Sequence, residues 1–108
     1  MIARIWHGVT EREKADEYVN YLNRTGIPDS RATPGNRGMF VLRRIEGGHA
    51  HFLTLSLWDS MEAIKKFAGE DCERARYYPE DENYLLELEP GVEHYEVSAS
   101  QMEEEWNV

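Results

Sequence analysis

Residues 39–69 read MFVLRRIEGGHAHFLTLSLWDSMEAIKKFAG, and this stretch decides the fold. Two apolar runs, Met39–Ile45 and Phe52–Trp58, flank Gly47-Gly48. Tight two-residue hairpins need positive φ, which glycine supplies without steric cost, so the pair predicts a hairpin. Trp58 then meets Asp59-Ser60, two helix-capping residues, with Glu62 three positions after Asp59 as a capping box requires. Met61, Ile64, Phe67 and Ala68 recur at helical spacing, and Gly69 stops the helix. The stretch therefore reads strand, hairpin, strand, helix.

Working outward, residues 2–9 form a strand with Ala3, Ile5, His7 and Val9 on one face and Ile2, Arg4, Trp6 and Gly8 on the other. Bulk on both faces suits a central strand. Thr10 and Glu13 have capping-box spacing, and Ala15, Tyr18, Val19 and Leu22 line one face of the helix that follows. Gly26 ends that helix, and residues 27–37 read as a loop rich in turn formers. On the C-terminal side, residues 72–78 fit a short helix stopped by Pro79, Tyr84-Leu85-Leu86 tucks under a helix, and residues 92–97 alternate as a last strand. Residues 1–98 are then one domain, and residues 99–108 an acidic tail bearing Met102, Trp106 and Val108 that is either disordered or docked on a partner subunit.

The order β-α-β-β-α-β is the ferredoxin-like α+β arrangement: an antiparallel sheet of order 4-1-3-2 with two helices on one face. Leu53, Leu55 and Leu57 leave the other face apolar, and a second copy of the chain is its simplest cover. A net charge of −9, from 21 acidic and 12 basic side chains, disfavours nucleic acid and anionic membranes. No run is long enough to span a bilayer, no signal peptide opens the chain, and the lone Cys72 permits no internal disulfide. The expected setting is cytoplasmic.

The run Leu57-Trp58-Asp59-Ser60-Met61-Glu62-Ala63, with Phe67-Ala68 after it and the closing strand His94-Tyr95-Glu96-Val97, resembles the antibiotic biosynthesis monooxygenase family. That resemblance implies a dimeric α+β barrel. It also implies one of several activities, among them cofactor-independent oxygenation of phenolic aromatics and haem degradation. The haem-degrading branch pairs an asparagine late in the first strand with a tryptophan before the second helix and an iron-ligating histidine on that helix. Trp58 matches the tryptophan and His7 stands near the asparagine, but no histidine lies between Ser60 and Gly91, so haem degradation is disfavoured.

The expected function is therefore a small monooxygenase with no cofactor, acting on an anthrone- or quinol-like molecule. The alternative is a non-catalytic dimeric barrel that binds a small aromatic ligand or serves a structural role. Reading the first and third strands as parallel neighbours brings His7, Trp58 and His94 to one edge, opposite the Gly47-Gly48 turn. His7 and His94 are then the expected catalytic pair, one of them held neutral as a base. Trp58 becomes an aromatic wall, and Tyr77, Tyr78 and Asp81 close the substrate slot. His49-x-His51 has metal-binding spacing but no identifiable acidic partner, so no metal is expected, and Arg43 and Arg44 read as salt-bridge partners of an acidic chain.

Overall fold

A computed structural model describes residues 1–103; the expectation for Trp106 and Val108 lies outside the described residues. The strands are β1 (Ile2–Glu11), β2 (Asn36–Glu46), β3 (His49–Trp58) and β4 (Glu93–Glu96), and the helices α1 (Ala15–Arg24), α2 (Gly26–Ala32) and α3 (Met61–Ala68). The sheet order is β2-β3-β1-β4, with every pair antiparallel. This is the ferredoxin-like α+β fold expected from the sequence. Gly47, at φ 57°, turns the chain between Glu46 and His49, so the hairpin sits where its glycines predicted.

The core lies between the sheet and its helices in two parts. Ala15, Tyr18, Tyr21 and Leu22 of α1 pack with Ala50 and Phe52 of β3 and with Leu85. Trp58 packs with Ala63 and Ile64 of α3 and with Cys72. The opposite face carries Ile5, Phe40, Leu42, Leu53, Leu55 and Leu57, and within one chain Leu42 and Leu53 remain 46% and 39% exposed. Among the described residues no helix is long and apolar enough to cross a membrane.

Several expectations need correction. The first and third strands are antiparallel, with Ile2 opposite Trp58 and His7 opposite Leu53. The helical crossover makes β1 and β2 parallel, and the tight hairpin reverses β3 against both. The first helix is not capped by Thr10, which is fully buried within β1; a single 3₁₀ turn at Arg12–Lys14 precedes α1. The segment after Gly26 is the helix α2 rather than a loop; Pro28 falls in its first turn, where a missing N–H costs no hydrogen bond. Ser60, not Asp59, caps α3 by accepting the Ala63 N–H at 3.2 Å, because Asp59 is engaged by Arg37 at 2.6 and 3.1 Å. Residues 72–78 form no helix. Their backbone groups are taken from outside: the Ala75 N–H donates to Pro90 O, the Val92 N–H to Glu73 O, and Arg4 takes the Cys72 and Arg74 carbonyls.

Candidate functional site

Alternation along β1 points Arg4 and Trp6 to the helix-covered face. There they line a cavity of about 60 Å³, whose other walls include Phe67 of α3 and Arg76, Tyr77, Tyr78 and Asp81 of the segment after it. Its volume holds a few waters and is smaller than the ~150 Å³ of a benzene-sized cavity. A ring must therefore displace a wall. Arg76 is the exposed side chain of that wall, stacked on Phe67 at 4.8 Å and on Tyr78 at 5.0 Å, and held by Phe67 O at 2.9 Å and Asp29 at 3.4 Å.

Asp81 is 4% exposed. Burial holds its carboxyl above the usual carboxylate range, against the opposing pull of the Tyr78 N–H that donates to Oδ2 at 2.5 Å. A carboxylate with raised proton affinity in an aromatic cavity is equipped to act as a base. The tyrosine hydroxyls have other employment. Tyr77 accepts the Trp6 indole N–H at 3.1 Å and donates to the Glu89 carbonyl at 2.5 Å, while Tyr78 donates to Asp29 Oδ2 at 2.7 Å. Both therefore contribute ring surface rather than free hydroxyls, and burial raises both their pKa values.

The histidine pair dissolves. His94 lies across from Arg4, whose Nη1 donates to His94 Nε2 at 2.9 Å. A guanidinium only donates, so this imidazole is neutral and spends its lone pair on Arg4. Burial and then the Arg4 charge hold its pKa below 6.5. His7 is on the other face of the sheet. It donates from Nδ1 to Glu89 Oε2 at 2.5 Å and stacks on His51, with Nε2 and Nδ1 3.3 Å apart. His51 in turn lies 3.4 Å from Glu46, so the His-x-His motif does have a carboxylate neighbour that its spacing did not reveal. Among the described residues no group of three or more histidine, cysteine or acidic side chains could hold a metal ion. Trp58 is fully buried, donates to Ser56 Oγ at 2.8 Å and packs on Phe67 at 5.6 Å; it is absent from the cavity walls.

Of the expected site residues, Tyr77, Tyr78 and Asp81 thus meet at one cavity, with His94 behind Arg4 and with His7 and Trp58 elsewhere. Arg4, Trp6, Phe67 and Arg76 are additions. Arg4 carried a sequence signal: an arginine between Ile2 and Trp6 on the bulky inward face of a central strand. Arg43 and Arg44 pair with Asp16 and Glu46 at 2.6 and 3.1 Å, as their acidic surroundings suggested.

No curated protein matches the chain. Among solved structures, it is similar to a Bacillus cereus protein assigned provisionally as an antibiotic biosynthesis monooxygenase: 18% identity, TM-score 0.64, covering 97% of this chain and 98% of that one. It is also similar to the heme-degrader MhuD of Mycobacterium tuberculosis with two hemes bound: 17% identity, TM-score 0.59, covering 94% and 100%. An MhuD mutant carrying manganese protoporphyrin IX gives 17% identity and TM-score 0.61 over 95% and 100%. At these identities the likeness shows the fold alone. The family model for antibiotic biosynthesis monooxygenase matches residues 2–75, which is more than half of the chain and runs from β1 through α3, so this chain belongs to the antibiotic biosynthesis monooxygenase family.

Proposed function

We propose that this protein is a small monooxygenase that oxidises an anthrone- or quinol-like aromatic without a cofactor, in the cavity between the sheet and the helices. The observation that carries the reading is Asp81: a buried carboxylate of raised proton affinity in the wall of an aromatic cavity. In an anthrone the acidic group is a ring CH₂. Asp81 takes one proton, the carbanion reduces O₂, and a C–O bond forms to give a hydroperoxide. Loss of water, with the second C–H proton, leaves C=O. The balance is CH₂ + O₂ → C=O + H₂O; the substrate supplies all four electrons, so no outside reductant enters. The chain's part is to bind the ring between Trp6 and Phe67, exclude water and hold the proton on Asp81.

Haem, which MhuD binds, does not fit the residues present. No histidine lines the cavity and α3 carries none, so the residues supply no imidazole for an iron. The working unit in this reading is a homodimer whose sheets face each other over Leu42 and Leu53, the side chains of the apolar sheet face that stay exposed in a single chain. Oxygen uptake with a panel of anthrones and hydroquinones, with no added cofactor, tests the proposal. Uptake that depends on Asp81 supports it. Ligand binding with no uptake on any member of the panel leaves the alternative, a binding module using the same cavity.

A further inference from the structure

Arg4 is 5% exposed, yet among the described residues no carboxylate pairs with it. What sets Arg4 apart is burial: the exposed Arg12, Arg24 and Arg31 also have no carboxylate partner among the described residues, but they face water. Arg37, Arg43, Arg44, Arg74 and Arg76, all exposed, each pair with an aspartate or glutamate. The buried arginine instead meets three neutral acceptors: Cys72 O at 2.5 Å and His94 Nε2 at 2.9 Å from Nη1, and Arg74 O at 3.1 Å from Nη2. A guanidinium stays charged and has five N–H donors. Three are engaged, which leaves the Nε–H and one Nη2–H without a protein partner among the described residues. A buried charge without a counter-charge is costly, and the neutral acceptors recover only part of that cost. They do fix the group in the wall of the cavity, with its Cζ 6.0 Å from the centre of the Phe67 ring.

We propose that Arg4 is the anchor for an aromatic oxyanion: the cavity takes a small ring compound whose negative oxygen, carboxylate or phenolate, docks on the two unused N–H donors of Arg4. The inference rests on the reading above that this cavity is the ligand site. The ligand supplies the counter-charge that the fold withholds. A charge-assisted contact to a preset guanidinium is also about twice as strong as a neutral one. Arg4 and Asp81 both line this cavity, so one ligand can present its anion to Arg4 and its acidic proton to Asp81. His94 acts as a positioning residue that holds Nη1 and so turns the opposite edge of the guanidinium to the ligand.

The test is calorimetric titration of the intact chain with benzoate, 4-nitrophenolate, and benzamide as a neutral match for benzoate. At least one anion is expected to bind tenfold or more tightly than benzamide. Benzoate alone identifies a carboxylate ligand, 4-nitrophenolate alone a phenolate, and both a general oxyanion site; each supports the proposal. Equal binding of all three, or binding of none, overturns it. Arg4→Gln is expected to lose the preference while keeping benzamide affinity, and a preference that survives in Arg4→Gln also overturns it. Should Arg4→Gln fail to fold, the comparison of ligands on the unaltered chain decides alone. The oxygenase reading fails separately: a charge preference without oxygen uptake removes the oxygenase and keeps the anchor. Uptake that is indifferent to ligand charge and to Arg4 does the reverse.

Discussion

Replacing Trp58 by Phe separates two roles that this residue can be assigned. If Trp58 walls the substrate slot, the change alters ligand affinity; if it is core, the change alters stability. The geometry assigns it to the core: fully buried, packed on Phe67 and bonded to Ser56 Oγ. Loss of the indole N–H removes a hydrogen bond worth about 1 kcal/mol. The smaller ring leaves a void of ~40 Å³, about 1 kcal/mol at ~24 cal/mol per Å³, to which lost transfer energy adds. The sum is roughly 2–3 kcal/mol, or about 10–15 °C in the melting temperature of a domain this size. The assay is thermal unfolding at fixed protein concentration, with benzoate titration alongside. Trp6→Phe is the control, since Trp6 does line the cavity. The reasoning is refuted if Trp58→Phe melts like the parent, or if it weakens ligand binding as much as Trp6→Phe does.

Other outcomes follow from the same geometry. Asp81→Asn is expected to lower turnover by roughly a hundredfold or more, the usual worth of a positioned base, while raising the melting temperature. The sign follows from its raised pKa: the folded state pays for the charge only once pH rises above the unfolded value of 3.8, so at neutral pH the ionised Asp81 is a burden that Asn lifts. His94 works oppositely. Its folded pKa lies below 6.5, so its contribution is full above that value and is lost as pH falls through the folded pKa; His94→Gln should flatten this part of an acid unfolding curve. Leu55→Asp places a charge at the centre of the apolar sheet face and should give a monomer or an insoluble chain, read by sedimentation. A parent chain that sediments as a soluble monomer would count against the dimer. Gly8→Ala would place a Cβ 2.2 Å from the Trp6 ring, so it should cost about 1–3 kcal/mol and disturb ligand affinity by shifting that wall.

The fold was legible because its signals are local. A glycine pair between apolar runs specifies a hairpin, a capped periodic segment specifies a helix, and together they permit few topologies. The errors also have local causes. Thr10 had the spacing of a cap but is held in β1, whose last residues pair with Ala50 and His49. Residues 72–78 have helical composition, but their backbone groups bond to Arg4, Pro90 and Val92, partners no local pattern can show. The site was only half legible. Tyr77, Tyr78 and Asp81 stood out as an aromatic-acidic cluster, whereas placing His7 and Trp58 depended on strand direction. One reversed strand moved Trp58 to the far end from His7 and left His7 facing His51. Arg4 was visible as an inward arginine, but its lack of a counter-charge is a property of the assembled structure alone.

The central claim is that the substrate itself supplies every electron to O₂ within this cavity. Turnover of an anthrone under labelled O₂, with metal chelator present and no cofactor added, tests it most directly. The account predicts one labelled oxygen atom in each quinone carbonyl formed, one O₂ consumed per product, and loss of both in Asp81→Asn. Product oxygen drawn from water, or labelled product formed equally fast by Asp81→Asn, would contradict it.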